Sequence, residues 1–306
     1  MNVDFKVKRT EDCVLIDTKK WLTDGSGISI HRMSGRDVPT GIAQVVCSYP
    51  EKKELEGITT EGDTVLISKV ASDISQYRKF GVVRGDDRYF SCPIMQVLGV
   101  FRNKEFSINS LEMCTDKVLI EKVDVNLENL HLPKSNTMVG KVVKTGTYKF
   151  DKNWKKEALT TKIGDIVVVR DNVTTHVKLL EGDYYVTEES MIVGCFDPSA
   201  FTLENLEVRN NYIIMESYIP VKLNNTIITP YLNYEDEDMT EIYNRDLFKV
   251  LKKDEKIDKI SENDIVLIDR NITNYVYIGS KRYFVTCGTD NIMCRIQRGG
   301  DNDTQF

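Results

Sequence analysis

Short apolar runs, mostly of β-branched residues, recur along the chain and are separated by Gly, Asn and Asp. One is Gly164-Asp165-Ile166-Val167-Val168-Val169, with partners at Gly62-Asp63-Thr64-Val65-Leu66-Ile67 and Asn263-Asp264-Ile265-Val266-Leu267-Ile268. Each run is continuous rather than alternating, which predicts a strand buried on both faces. The aspartates lie 102 and then 99 residues apart. Downstream, Arg88-Tyr89-Phe90-Ser91-Cys92, Asp183-Tyr184-Tyr185-Val186-Thr187 and Arg282-Tyr283-Phe284-Val285-Thr286 correspond. Upstream, Cys13-Val14-Leu15-Ile16, Lys117-Val118-Leu119-Ile120 and Tyr212-Ile213-Ile214-Met215 open the three copies. A period near 100 residues is too long for a solenoid and fits tandem small domains. The step from Asp to Tyr is 19 residues in copies two and three and 26 in the first, which places an insertion of about seven residues around Ser75-Gln76-Tyr77-Arg78.

The connectors repeat too. Gly99 to Ile120 and Gly194 to Met215 are both 22 residues long and align without a gap. They share Phe106 with Phe201 and Leu111-Glu112 with Leu206-Glu207. A flexible tether would be rich in Gly and Ser and keep no apolar register. These connectors are therefore expected to dock.

The pattern predicts an all-β chain of short strands and Gly/Asp turns, suited to small antiparallel barrels. A turn or two of helix is expected over Lys152 to Lys162. The expected division is 1–103, 104–199 and 200–300, with a polar tail over 301–306.

Composition adds exclusions. Hydrophobic residues make up 41% of the chain and charged ones 29%, an ordinary globular balance. No apolar run is long enough for a transmembrane helix, and the first residues lack the apolar core of a secretion signal. The 41 basic and 47 acidic side chains give a net charge of −6, which is no footprint for nucleic acid or anionic lipid. Lys152, Lys155 and Lys156 around Trp154 are expected to be solvated, as is Glu235-Asp236-Glu237-Asp238. Seven cysteines, mostly within apolar runs, fit reduced thiols in a cytoplasmic compartment.

The second copy resembles the GroES-type co-chaperonin family. Gly164 to Val168 is similar to that family's Gly-Asp-Ile-Val-Val strand, Val177-Lys178 to its hairpin, and Gly182 with Tyr185 and Val186 to its Gly-x-x-Tyr-x-Val strand. Val186 follows Tyr185 one position early. Glu188 or Glu189 with Met191 to Val193 stands for the closing strand. Upstream, Lys117 to Ile120 and Gly140-Lys141-Val142-Val143 match the opening strands. The match spans residues 116–196, and the flanking copies follow more loosely in the same order. The resemblance implies three tandem GroES-like β-barrels joined by short structured connectors. It also implies a partner-docking loop after each first strand: Gly27-Ile28-Ser29-Ile30, Leu130-His131-Leu132 and Ile227-Ile228. The alternative for these triplets is that they are strand residues closing a barrel.

Catalytic chemistry is not legible. His31, His131 and His176 have no partner at metal-ligand spacing, and the closest cysteines, Cys287 and Cys294, form a lone pair. No dinucleotide or phosphate loop is present. The expectation is a protein that is not an enzyme and takes no cofactor or metal. It would be a structural or assembly protein using three barrels as protein–protein interaction modules, for instance a bacteriophage virion or connector component. The alternative is a co-chaperonin that caps a chaperonin ring and assists folding; a peptide- or metal-binding module is a third class. Expected partners are proteins, in a symmetric homo-oligomer or larger assembly and with a chaperonin among the candidates, but not nucleic acid or membrane. The expected location is the cytoplasm, or the virion if the protein is viral.

Overall fold

A computed structural model describes residues 13–17, 41–50, 52–67, 82–84, 87–102, 105–123, 138–170, 174–197, 200–218, 247–268, 274–279 and 281–296. These residues form β-strands and short turns, including single 3-10 turns such as Lys53–Leu55, and contain no α-helix.

The first sheet comprises β1 (Cys13–Asp17), β2 (Gly41–Tyr49), β3 (Thr64–Ile67), β4 (Val82–Arg84), β5 (Asp87–Pro93), β6 (Val97–Phe101) and β7 (Leu111–Met113). Its order is β4-β5-β1-β2-β3-β6-β7. The second comprises β8 (Lys117–Lys122), β9 (Met138–Thr145), β12 (Ile166–Val169), β13 (Thr175–Leu179), β14 (Gly182–Glu188), β15 (Ile192–Phe196) and β16 (Leu206–Val208). Its order is β13-β14-β8-β9-β12-β15-β16. The third comprises β17 (Tyr212–Ser217), β18 (Leu247–Lys253), β19 (Ile265–Ile268), β20 (Asn274–Ile278), β21 (Lys281–Cys287) and β22 (Ile292–Ile296), in the order β20-β21-β17-β18-β19-β22. Among the described residues the three sheets share one strand order, with seven strands in the first two and six in the third. Each order is linear, so among the described residues none of the sheets closes on itself into a barrel. A separate two-stranded ribbon, β10 (Lys149–Phe150) with β11 (Lys156–Glu157), occupies the segment expected to turn helically. Its turn is fixed by Asp151, whose Oδ1 accepts from the Asn153 and Lys155 amides at 2.8 and 2.7 Å. An Asp side chain that bonds amides just ahead competes with helix formation, and here it wins.

Local chemistry repeats with the order. The register shifts between Leu15/Ile16, Leu119/Ile120 and Ile214/Met215, and again between Leu66/Ile67, Val168/Val169 and Leu267/Ile268. Such bulges bend a strand and raise its twist. The turn before each buried strand needs positive φ, supplied by Gly62 at 88°, Gly164 at 95° and Asn263 at 72°; Gly and Asn reach that region most easily. The next aspartate closes each turn. Asp63, Asp165 and Asp264 accept through Oδ2 from the amides of Thr60, Lys162 and Ser261 at 2.8, 3.0 and 2.7 Å.

The chain forms two compact units. One holds residues 1–123, 140–165 and 173–190; the other holds 124–139, 166–172 and 191–306. In the first unit, one core gathers Ala43, Val45, Leu55, Val65, Ile67 and Ile94 inside the first sheet. In the second, Ile213, Met215, Phe248, Val250, Ile257 and Val266 fill the third sheet.

Candidate interaction surfaces

The loop residues Gly27, Ile28, Ser29, Ile30, Leu130, His131, Leu132, Ile227 and Ile228 all lie outside the described residues. So do the insertion around Ser75–Arg78 and the acidic run at 235–238. The surfaces that are described are the connectors, the ribbon and the outer edge of the third sheet.

Both connectors dock. Within the first unit, Phe106 packs edge-on to Phe101 with ring centroids 5.3 Å apart. Within the second, Phe201 does the same to Phe196 at 5.5 Å. Each connector then adds a strand to the sheet it leaves: Leu111–Met113 pairs with β6 and Leu206–Val208 with β15. Around the first, Leu66, Leu98, Phe101, Phe106, Leu111 and Met113 meet Leu119, Val177, Leu179, Tyr184 and Val186. Around the second, Val168, Val193, Phe196, Phe201, Leu206 and Val208 meet Ile214, Val276, Ile278, Tyr283 and Val285. The correspondence holds position by position. The polar bonds match as well: Lys144 Nζ donates to the Leu111 carbonyl at 2.7 Å, and Lys252 Nζ to the Leu206 carbonyl at 3.1 Å. Two glycines make the strand approach possible. A Cβ on Gly99 would lie 2.7 Å from Leu111 Cδ1 and 2.8 Å from the Glu112 carbonyl oxygen. On Gly194 it would lie 2.5 Å from the Glu207 carbonyl oxygen. Tyr184 and Tyr185 are consecutive on β14 and so face opposite sides: Tyr184 fills the first junction, while Tyr185 lies against the His176 ring at 5.2 Å.

The ribbon is tied down twice. Phe150 and Trp154 pack on the core of the first sheet, and Lys52 Nζ sits 3.4 Å from the Trp154 ring centroid. Trp154 holds φ at 62°, a conformation that costs an L-residue about 1–2 kcal/mol and is offset here by that packing. The second tie is Glu189, which is fully buried. Its carboxylate accepts from the Thr160 and Thr161 amides at 2.6 and 2.8 Å and from Lys149 Nζ at 2.9 Å. Burial alone would raise its pKa, but the Thr161 amide and the Lys149 ammonium outweigh burial and hold the carboxyl below the ordinary glutamate value. Lys152, Lys155 and Lys156 are exposed, as expected from sequence. Lys117 is buried between Asp116 at 2.8 Å and Glu188 at 3.1 Å. These two carboxylates overcome the desolvation that would lower its pKa and raise it instead.

His176 Nε2 lies 2.9 Å from Asp183 Oδ1 at a half-exposed site. No group of three metal-ligating side chains occurs among the described residues. No helix among them is long and apolar enough to cross a membrane. No disulfide joins the described cysteines. Sequence reading missed Glu189 as a tie, since Glu188 and Glu189 were equivalent candidates. It also missed Lys144 and Lys252, whose matched positions a full alignment of the copies would have shown.

No protein-family model matches the chain. Two curated proteins named Co-chaperonin GroES are similar to it, from the Welgevonden and Gardel strains of Ehrlichia ruminantium. Each is 34% identical over 90 residues, covering 28% of this chain and 96% of the relative.

Proposed function

Because the chain belongs to the GroES co-chaperonin family through a segment of about 90 residues, we propose that it is a non-enzymatic assembly protein. Its three sheets are three GroES-like units, divided near residues 103 and 199, and their surfaces bind other proteins. The observation that carries this reading is the pair of matching junctions, each packed by the same set of side chains. Two fixed connections present three different outer surfaces in one chain, which suits several unlike neighbours better than one repeated one. The virion placement draws no support from the fold or the relatives and is not part of the reading.

The relatives' name favours a second reading, a co-chaperonin that docks on a chaperonin through Ile28 and Ile30. One experiment separates the two. The chain is incubated with a purified chaperonin, with and without nucleotide, and recovered by affinity tag. The assembly reading predicts no nucleotide-dependent capture. Nucleotide-dependent capture that Ile28→Ser with Ile30→Ser abolishes would establish the co-chaperonin reading in its place.

A further inference from the structure

The ribbon belongs to the second copy but lies on the first. Phe150 and Trp154 pack against the core of the first sheet, as Ile58 and Met95 do, and Lys52 of the first copy covers the Trp154 ring. The other side of the ribbon is held by Glu189 through Lys149, Thr160 and Thr161, all within the second copy. We propose that the ribbon is a strap between the first and second copies, so that these two open together while the third opens separately. The proposal rests on the reading of the three sheets as units of one plan.

The same place in the other copies is built differently. In each copy one valine bonds across the turn that precedes the buried strand: Val45 with Gly62 and Asp63, Val142 with Gly164 and Asp165, Val250 with Asn263 and Asp264. Valine and turn residue enclose 16 residues in the first copy, 21 in the second and 12 in the third. The longest segment carries the ribbon. In the first copy, Leu55 of this segment enters the core of its own sheet, and in the third Ile257 and Ile260 do so. Among the described residues, no counterpart of the ribbon crosses from the third copy to the second.

The receiving surface is equally particular. Pro93 pairs with the first residue of β1 and Glu188 with that of β8, so Ile94-Met95 and Glu189-Ser190 stand at matching positions. In the first copy Ile94 is part of the core and Met95 packs on it. In the second, Glu189 is engaged within its own copy and Ser190 is exposed. Covering the Ser190 hydroxyl with an aromatic ring would bury little apolar surface and cost hydration. The connectors pack alike at both junctions, so the strap is what distinguishes the first from the second. Two ties must open before the first and second copies separate, one at Phe106 and β7 and one at Trp154.

Native-state hydrogen exchange of the whole chain tests this independently of chaperonin capture, which decides the reading beneath it. Glu189→Gln puts an amide against the Lys149 ammonium and so loosens the second-copy end of the strap. It should lower the protection of β2 and β3 by about tenfold and leave β18 and β19 within about twofold of wild type. Trp154→Gly cuts the other end; at φ 62° a glycine keeps the turn and removes only the ring. In that background Glu189→Gln should change the first sheet by less than about twofold, because the coupled partner is gone. Unchanged β2 and β3 in the single Glu189 variant would overturn the proposal. So would an effect of equal size in the Trp154→Gly background, or a matching fall in the third sheet. If Trp154→Gly does not fold, Lys52→Met removes the cation over the ring instead. The Glu189→Gln effect on the first sheet must then shrink, and an effect of undiminished size overturns the proposal.

Discussion

Glu189 shows how one side chain can fix a surface feature. Removing the carboxylate leaves two amides and the Lys149 ammonium without their acceptor. Lys149 is itself partly exposed, so Glu189→Ala should cost about 2–3 kcal/mol in denaturant unfolding, and Glu189→Gln less. The pH dependence follows from the sign of the shift. A folded-state pKa below the unfolded value gives stability that is complete above the ordinary glutamate range, near about 4.3, and is lost as pH falls through the folded value. Wild type should therefore lose more stability than Glu189→Gln across that range in acid titrations of the melting temperature. Burial pushes Cys114 up to about 12 and raises Cys287 as well, but Cys287 and Cys294 are open to reagent whereas Cys114 is buried. Alkylation of the native protein near neutral pH, read by mass spectrometry, should label Cys287 and Cys294 well before Cys114.

At the scale of elements, the sequence shows most where backbone conformation is fixed by residue type. Gly164 and Asn263, the residue types that reach positive φ most easily, sit where the turns adopt it, and Asp165 and Asp264 close those turns. The matched Phe and Leu-Glu positions of the connectors announced docking. The ribbon at 149–157 was not legible, because Lys, Trp and Glu there suit a helix in isolation; the Asp151 turn and Trp154 packing on a distant core decide it. Two predictions belong to this scale. Gly99→Ala and Gly194→Ala should each cost about 1–3 kcal/mol by forcing β7 or β16 from its neighbour. Gly164→Ala, which faces open space, should cost only the positive-φ penalty of about 1–2 kcal/mol. Phe106→Ala should destabilise by about 3–4 kcal/mol and Phe201→Ala by less, since Phe201 is less buried. Chemical denaturation of the five variants checks both statements.

For the whole molecule, the apolar surface consumed by the connectors matters as much as that inside the sheets. Each connector leaves its sheet as a strand and enters the next with its aromatic side chain already packed. The strands and their repetition along the chain were readable because β-branched runs recur at matched spacing. What sequence could not supply was which faces those runs share, and hence that Tyr184 and Tyr283 serve the junctions. The central claim is that the two connectors are the same rigid junction made twice. Native-state hydrogen exchange measures it most directly. The amides of Leu111–Met113 and Leu206–Val208 should be protected to a similar degree, near that of the strands they join, and each set should lose protection in its own glycine variant. Connectors that exchange at the rate of an unfolded tether, while the sheets stay protected, would contradict the account.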